Sequence, residues 1–205
     1  MTSSAESTTQ AAPVQGRDIG SQISGVFGTV FVWVNSGGLP TAVRIACVLA
    51  ACAAFVVILV LSLRSYRAQR LDASPSAEAG AGARSKGERQ AGPFTRAYWI
   101  IVFIEMIALF GGGRLITRVW GHSELGVAWV AFVVGTHFFA LAHIFRLARF
   151  HLLGAIVTVL GLAGFALWLA DALGAIAIVS GVASGFALLA FGLWAYAPKR
   201  TQPSA

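Results

Sequence analysis

The stretch IACVLAACAAFVVILVLSL, residues 45–63, decides the fold. It is a charge-free apolar run, and a helix needs about 20 mainly apolar residues to cross about 30 Å of hydrocarbon. Extended back to residue 42, it reads as one membrane-spanning helix. Its two cysteines, Cys47 and Cys52, are the only ones in the chain. They form no C-x-x-C pair and no disulfide framework, so they read as small apolar residues.

The rest of the chain agrees with that first run. It is 57% hydrophobic and only 11% charged, with a mean hydropathy of +0.76. A soluble domain carries about 25% charged residues, too many for this composition. Further apolar runs cover 97–113, 125–145, 152–170 and 173–197. A weaker one covers 18–36, where Ser21, Gln22 and Ser24 dilute the apolar character. The fold class expected is therefore all-α: a polytopic integral membrane bundle with six predicted transmembrane helices, or five if 18–36 lies in the interface.

Charge fixes the expected orientation. The net charge is +7, but the basic residues sit in short clusters between apolar runs. That pattern excludes a nucleic-acid-binding face and matches positive-inside topology. With six spans both termini are cytoplasmic, as is the loop 64–96 with Arg64, Arg67, Arg70, Arg84, Lys86, Arg89 and Arg96. Arg146, Arg149, Lys199 and Arg200 fall on the same side, leaving Arg44, Arg114 and Arg118 outside. Trp33, Trp120, Trp129 and Trp168 mark the outer boundary, and Trp99 and Trp194 the inner one.

The organisation expected is a disordered tail over 1–17 and a two-helix part over 18–63. A basic flexible linker over 64–96, a four-helix part over 97–197 and a tail over 198–205 follow. The N-terminal MTSSAESTTQAAPVQG has no cationic region followed by an apolar core, so it does not read as a cleavable signal peptide. The loop 71–93 is rich in Ala, Gly, Ser and Pro and reads as a tether. The preference for Arg over Lys, with abundant Ala and Gly, suggests a GC-rich bacterial genome.

In lipid, close packing of small residues holds helices together. Gly174, Gly181, Gly185 and Gly192 share one face of the last run, at spacings of seven, four and seven. Gly154, Thr158 and Gly161 share a face of the run before it. The short connection around Asp171 predicts a tight antiparallel hairpin of these two helices, with a homo-oligomer face on the last helix as the alternative. His122, Glu124 and Asp171 read as solvated loop residues. The glycines Gly111 to Gly113 read as a helix end and turn.

The chemistry-bearing residues are few. A charge at the centre of a span costs about 2.5–3.5 kcal/mol on insertion scales. Glu105, in AYWIIVFIEMIALFGGG (97–113), is the only acidic residue deep in a run. It lies eight residues from the cytoplasmic end at Ala97, about 12 Å at 1.5 Å per residue. His137 lies eight residues from the cytoplasmic end of the next run, at matching depth. The short connection between the two runs makes them neighbours, so Glu105 is expected to face His137. Sharing one proton between them reduces the cost of burying both groups. Thr136, His143 and Thr158 are secondary polar candidates, with Ser180 and Ser184 beyond them. No H-E-x-x-H, G-x-S-x-G or phosphate-binding loop is present. No metal, cofactor or catalytic role is therefore assigned.

RAYWIIVFIE (96–105) and VVGTHFFALAHIF (133–145), with FVWVNSGGLP (31–40) upstream, resemble a group of small, uncharacterised multi-span membrane proteins of GC-rich bacteria. The resemblance covers most of the chain outside the tail and the loop 71–93. In that group a Pro often follows the His-Phe-apolar triplet. Here that position is Ala140, so no kink is expected. The resemblance implies a multi-pass protein of the cell membrane and no activity. The function expected is structural, regulatory or stress-related and non-enzymatic, with the Glu–His pair as a packing element and the lipid bilayer as partner. The alternative is a small proton-linked carrier or channel using Glu105 and His137.

Overall fold

A computed structural model describes residues 12–72, 96–145 and 148–197. Six helices cover them: α1 (Ala12–Asn35), α2 (Thr41–Asp72), α3, α4 (Gly126–Phe145), α5 (Ala148–Leu169) and α6. Helix α3 opens as Arg96–Ile107 and continues in wide π turns over Ala108–Gly112 and Leu115–Val119. Helix α6 runs through Leu173–Ile176, a π segment Ala177–Ala183 and Ser184–Trp194. Helices α2 to α6 are long and apolar enough to cross a membrane. The described part of the chain is all-α, with no strand.

The core is apolar, with Val32, Ile58, Leu153, Val157, Leu188 and Leu189 fully buried, but the outside is apolar as well. Ser21, Ser24, Ser36, Ser62, Ser180 and Ser184 are buried, while Phe27, Trp33, Leu49, Phe103, Phe110 and Leu169 are exposed. Water would not tolerate so much contiguous apolar surface, whereas hydrocarbon does. These five apolar helices are those of a membrane protein.

Helix α1 is not among the five, because Asp18, Ser21, Gln22 and Ser24 dilute it. It nevertheless lies within the bundle. Its buried residues Ser21, Ser24, Gly25, Gly28, Phe31 and Val32 form one helical stripe, and Ile23, Val26, Phe27 and Val30 face outward. The stripe runs antiparallel along α6. A Cβ on Gly28 would meet the Gly185 carbonyl oxygen at 2.7 Å, and one on Gly185 would meet the Gly28 oxygen at 2.7 Å. One end of this contact has Gly192 against Ser21 and Ser24, and the other has Gly181 against Asn35. The helix also begins at Ala12, within the expected tail, because Pro13 is tolerated in a first turn whose N–H groups have no partner.

The glycine faces are used differently from the expected hairpin of the last two helices. Gly154 and Gly161 on α5 pack against Gly135, Phe138, Phe132 and Ala128 of α4. Helices α5 and α6 are joined by a short turn and do pack together, but the closest approach of two backbones is α4 with α5, where these small residues lie. Helix α5 meets α6 through Gly164 and Ser180, whose hydroxyl donates to the Leu160 carbonyl at 2.8 Å. Gly181, Gly185 and Gly192 face α1 and α2, and Gly174 has open space. Asp171 closes the turn between α5 and α6 at φ 56, in the left-handed region that Asp tolerates.

Two further boundaries differ. Helix α2 runs on to Asp72, into the expected linker, and residues 73–95 lie outside the described residues. The Gly111–Gly113 triplet does not end α3, which continues to Val119. The reason is a contact from α4, described next.

Candidate functional site

Helix α3 sits at the edge of the bundle against α4. Its covered residues form a stripe: Ile101, Val102, Glu105, Ala108, Leu109, Gly112, Gly113, Ile116 and Thr117. Around the rest of the helix Trp99, Ile100, Phe103, Ile104, Ile107, Phe110 and Val119 are exposed. Glu105 is the acidic member of that stripe, and the depth count from the sequence places it beside His137.

The structure brings the two together. Nδ1 of His137 and Oε2 of Glu105 are 2.9 Å apart, with side chains only 12% and 16% exposed. The distance is that of an ion pair, but the direction is not that of a hydrogen bond. Nδ1 is buried and has no aligned acceptor among the described residues. The contact is therefore close but not aligned as a linear N–H···O bond. The Phe138 ring lies edge-on to the His137 imidazole at 6.2 Å.

One turn further along α3, Trp129 of α4 donates its indole N–H to the Ala108 carbonyl at 2.9 Å. The same indole lies against Gly112, where it occupies the space a Cβ would need. A wide π turn begins at Ala108. Glycine here serves close approach rather than helix termination, which is why the triplet is not a cap. Thr117 donates its hydroxyl to the Gly113 carbonyl at 2.8 Å, which supports the helix beyond the triplet.

The secondary candidates do not converge on the pair. Thr136 is exposed and turns its hydroxyl back to the Val133 carbonyl at 2.8 Å. His143 is exposed near the end of α4. Thr158 packs under Gly135 on the α5 side of α4, and its hydroxyl has no hydrogen-bond partner among the described residues. Ser184 is likewise buried without one. At the other end of the bundle, His122 Nδ1 and Glu124 Oε1 are 3.1 Å apart, and the His122 ring meets Trp168 edge-on at 4.9 Å. These two residues pair locally within the loop while remaining partly exposed, and Asp171 is exposed at the turn between α5 and α6. No group of three or more potential metal ligands occurs among the described residues.

A second polar region escaped the sequence reading. Ser65 of α2 donates to the Asp18 carboxylate at 2.8 Å, and Gln22 donates to the Ser62 hydroxyl at 2.6 Å. Ser21 lies 2.7 Å from the Tyr196 hydroxyl. A cavity of about 10 Å³, room for one water at most, lies beside Ser21, Ser24 and Arg149. The signal was present in the spacing: Asp18, Ser21 and Gln22 fall on one face of α1, and Ser62 and Ser65 on one face of α2. Polar residues in α1 argued against a span in isolation, yet they are the ones its neighbours satisfy. Set against known proteins, the chain matches no family model, no curated protein and no solved structure.

Proposed function

We propose that this is a multi-pass protein of a bacterial cell membrane with a structural or regulatory, non-enzymatic role, in which the Glu105–His137 pair docks a peripheral helix onto the bundle. The observation that carries this reading is the narrowness of the α3 contact. A helix exposed around most of its circumference meets α4 along one stripe, and the 2.9 Å pair lies within it. In hydrocarbon such a helix gains little from apolar contact, because lipid offers the same, so polar links and close packing decide its place. We also place both termini and the loop 64–96 in the cytoplasm, following the Lys/Arg asymmetry. The surrounding partner is the lipid bilayer. Self-association through α6 would use its open Gly174 end, since the other three glycines are covered within the chain. The likeness to small multi-span proteins of GC-rich bacteria belongs to the same reading.

The competing reading, a proton-linked carrier or channel, needs a polar path leading to the pair. Thr136, His143 and Thr158 do not supply one. Proteoliposomes containing the parent and Glu105→Gln separate the two. The docking role expects proton permeability equal to that of empty liposomes for both proteins, with lower thermal stability for Glu105→Gln. Proton flux in the parent that Glu105→Gln abolishes at unchanged stability would overturn it.

A further inference from the structure

A cleft at one end of the bundle, between α1, α5 and α6, has the chemistry of an anion site. Ser21 and Ser24 of α1, each 3% exposed, and Arg149 of α5 line it, with the Phe150 and Phe191 rings beside them. Arg149 turns inward: its Nε is buried, and its guanidinium carbon stands 5.9 Å from the centre of the Phe150 ring. The described residues that line the cleft thus supply one cation and two hydroxyls, and no carboxylate. The nearby Asp18 carboxylate serves the α2 side, where Ser65 donates to it at 2.8 Å.

The depth of the cleft selects the anion. The apolar span of α5 begins at Ala148 and that of α6 ends at Trp194, so Arg149 and the cleft lie where hydrocarbon meets water. Lipid phosphates sit at that level, and basic pockets between transmembrane helices hold them. Going deeper, the α1 face of Gly20 and Ser24 continues into Phe27, and the α5 face of Arg149 continues into Leu152 and Ile156. All three are exposed and apolar, as a surface for acyl chains must be. The cavity itself, about 10 Å³, admits one oxygen atom rather than a whole phosphate.

We propose that this cleft binds the phosphate of an anionic phospholipid, with one phosphate oxygen between Arg149 and Ser24 and the acyl chains along Phe27, Leu152 and Ile156. A guanidinium pairs with phosphate in bidentate fashion through charge-assisted N–H···O bonds, which suits Arg149 to this role. The Ser21 proton is committed to the Asp18 carbonyl at 3.0 Å, so Ser24 supplies the hydroxyl donor. A zwitterionic lipid offers the same phosphate but carries its own cation, so a net anionic headgroup is preferred. The site depends neither on the Glu105–His137 contact nor on which end of the bundle is cytoplasmic.

The test is native mass spectrometry of the full chain in detergent, titrated separately with dioleoyl phosphatidylglycerol and dioleoyl phosphatidylcholine, beside thermal denaturation with each lipid. The parent should hold one phosphatidylglycerol about fivefold more tightly than phosphatidylcholine, the worth of one basic residue facing a net anionic headgroup. Arg149→Gln should weaken that binding about tenfold or more, the worth of a hydrogen bond to a charged group. Arg149→Lys keeps the charge and should weaken it less. Ser24→Ala should weaken it about threefold. Arg64→Gln with Arg67→Gln removes more charge, but from exposed positions outside the cleft, and should bind as the parent does. If Arg149→Gln melts early, the rise in Tm on adding phosphatidylglycerol decides, and it should occur in the parent and not in the variant. Equal binding by the parent and Arg149→Gln overturns the site and leaves the cavity to a water. So does a loss in the Arg64 and Arg67 variant equal to that in Arg149→Gln. Binding that persists in excess inorganic phosphate supports the lipid, whereas displacement by inorganic phosphate overturns it in favour of the free anion.

Discussion

The indole of Trp129 donates to the backbone carbonyl of Ala108, 2.9 Å away, across the boundary between α4 and α3. This bond sits where the wide turn of α3 begins, and Gly112 leaves room for the ring. Trp129→Phe keeps most of the ring and deletes the donor. It should cost about 0.6 kcal/mol, the average for an interhelical hydrogen bond in a bilayer, and no more than about 1.7. Gly112→Ala should cost more, because its Cβ would occupy the space of the indole. Reversible unfolding in bicelles should rank the two in that order. Equal effects would mean that the ring is not seated on Gly112.

The contrast between Glu105 and the glycine triplet shows what this chain reveals before folding. Glu105 and His137 could be set side by side by counting residues from two helix ends, because helical rise and the short connection fix depth and adjacency. The apolar lengths of α2, α4, α5 and α6 were readable for the same reason. Gly111 to Gly113 were misread as a cap, because the partner that makes a glycine necessary there is Trp129, on another helix. Gly154, Thr158 and Gly161 show the same limit. Their spacing defines a face of α5, but nothing local says whether α4 or α6 will cover it. Helix α1 hid its role more deeply. Its serines and Asp18 lower its hydropathy in isolation and find partners only when α2 and α6 are in place.

The α1–α6 crossing should be sensitive to a single carbon atom. A Cβ on Gly185 would lie 2.7 Å from both the Gly28 oxygen and a Val32 methyl, and one on Gly28 would lie 2.7 Å from the Gly185 oxygen and Leu189. Gly28→Ala and Gly185→Ala should each destabilise by about 1–3 kcal/mol, the usual cost of overpacking. The double variant should cost less than the sum, since one separation of the helices relieves both clashes. Gly37→Ala, with nothing within 4 Å, is the control. Thermal denaturation in detergent should show the control melting with the parent. Additive losses would mean that the two sites do not share a contact.

The polar end of α1 has a direction that mutation can read. Ser21 has one hydroxyl proton, and it goes to the Asp18 carbonyl at 3.0 Å. With that proton so used, Ser21 Oγ is expected to accept from the Tyr196 hydroxyl, 2.7 Å away. Tyr196→Phe removes the donor and leaves the Ser21–Asp18 bond intact, whereas Ser21→Ala removes both bonds. Ser21→Ala should be the more destabilising, and the double-mutant cycle should return a coupling of about 0.6 kcal/mol. A larger loss for Tyr196→Phe would reverse the assigned direction.

Whether α1 crosses the membrane decides the side of the N-terminus. Arg44, Arg64, Arg67, Arg114 and Arg118 are all exposed, with Arg64 and Arg67 near one end of the bundle and Arg114 and Arg118 near the other. The richer basic end, leading into the loop 64–96, is the one the Lys/Arg asymmetry assigns to the cytoplasm in the reading proposed above. Residues 21–35 of α1 run alongside α6 from Gly192 to Gly181, so α1 shares the depth of a helix that is long and apolar enough to cross. The N-terminus should therefore share a compartment with the loop. Ser4→Cys, Ser85→Cys and Ser123→Cys, each with Cys47→Ala and Cys52→Ala, make this measurable in intact cells. A membrane-impermeant maleimide should label Ser123→Cys directly, and should reach Ser4→Cys and Ser85→Cys only after the membrane is opened. Labelling of Ser4→Cys in intact cells while Ser85→Cys stays protected would mean that α1 packs against α6 without crossing. Labelling of Ser85→Cys in intact cells would invert the whole bundle.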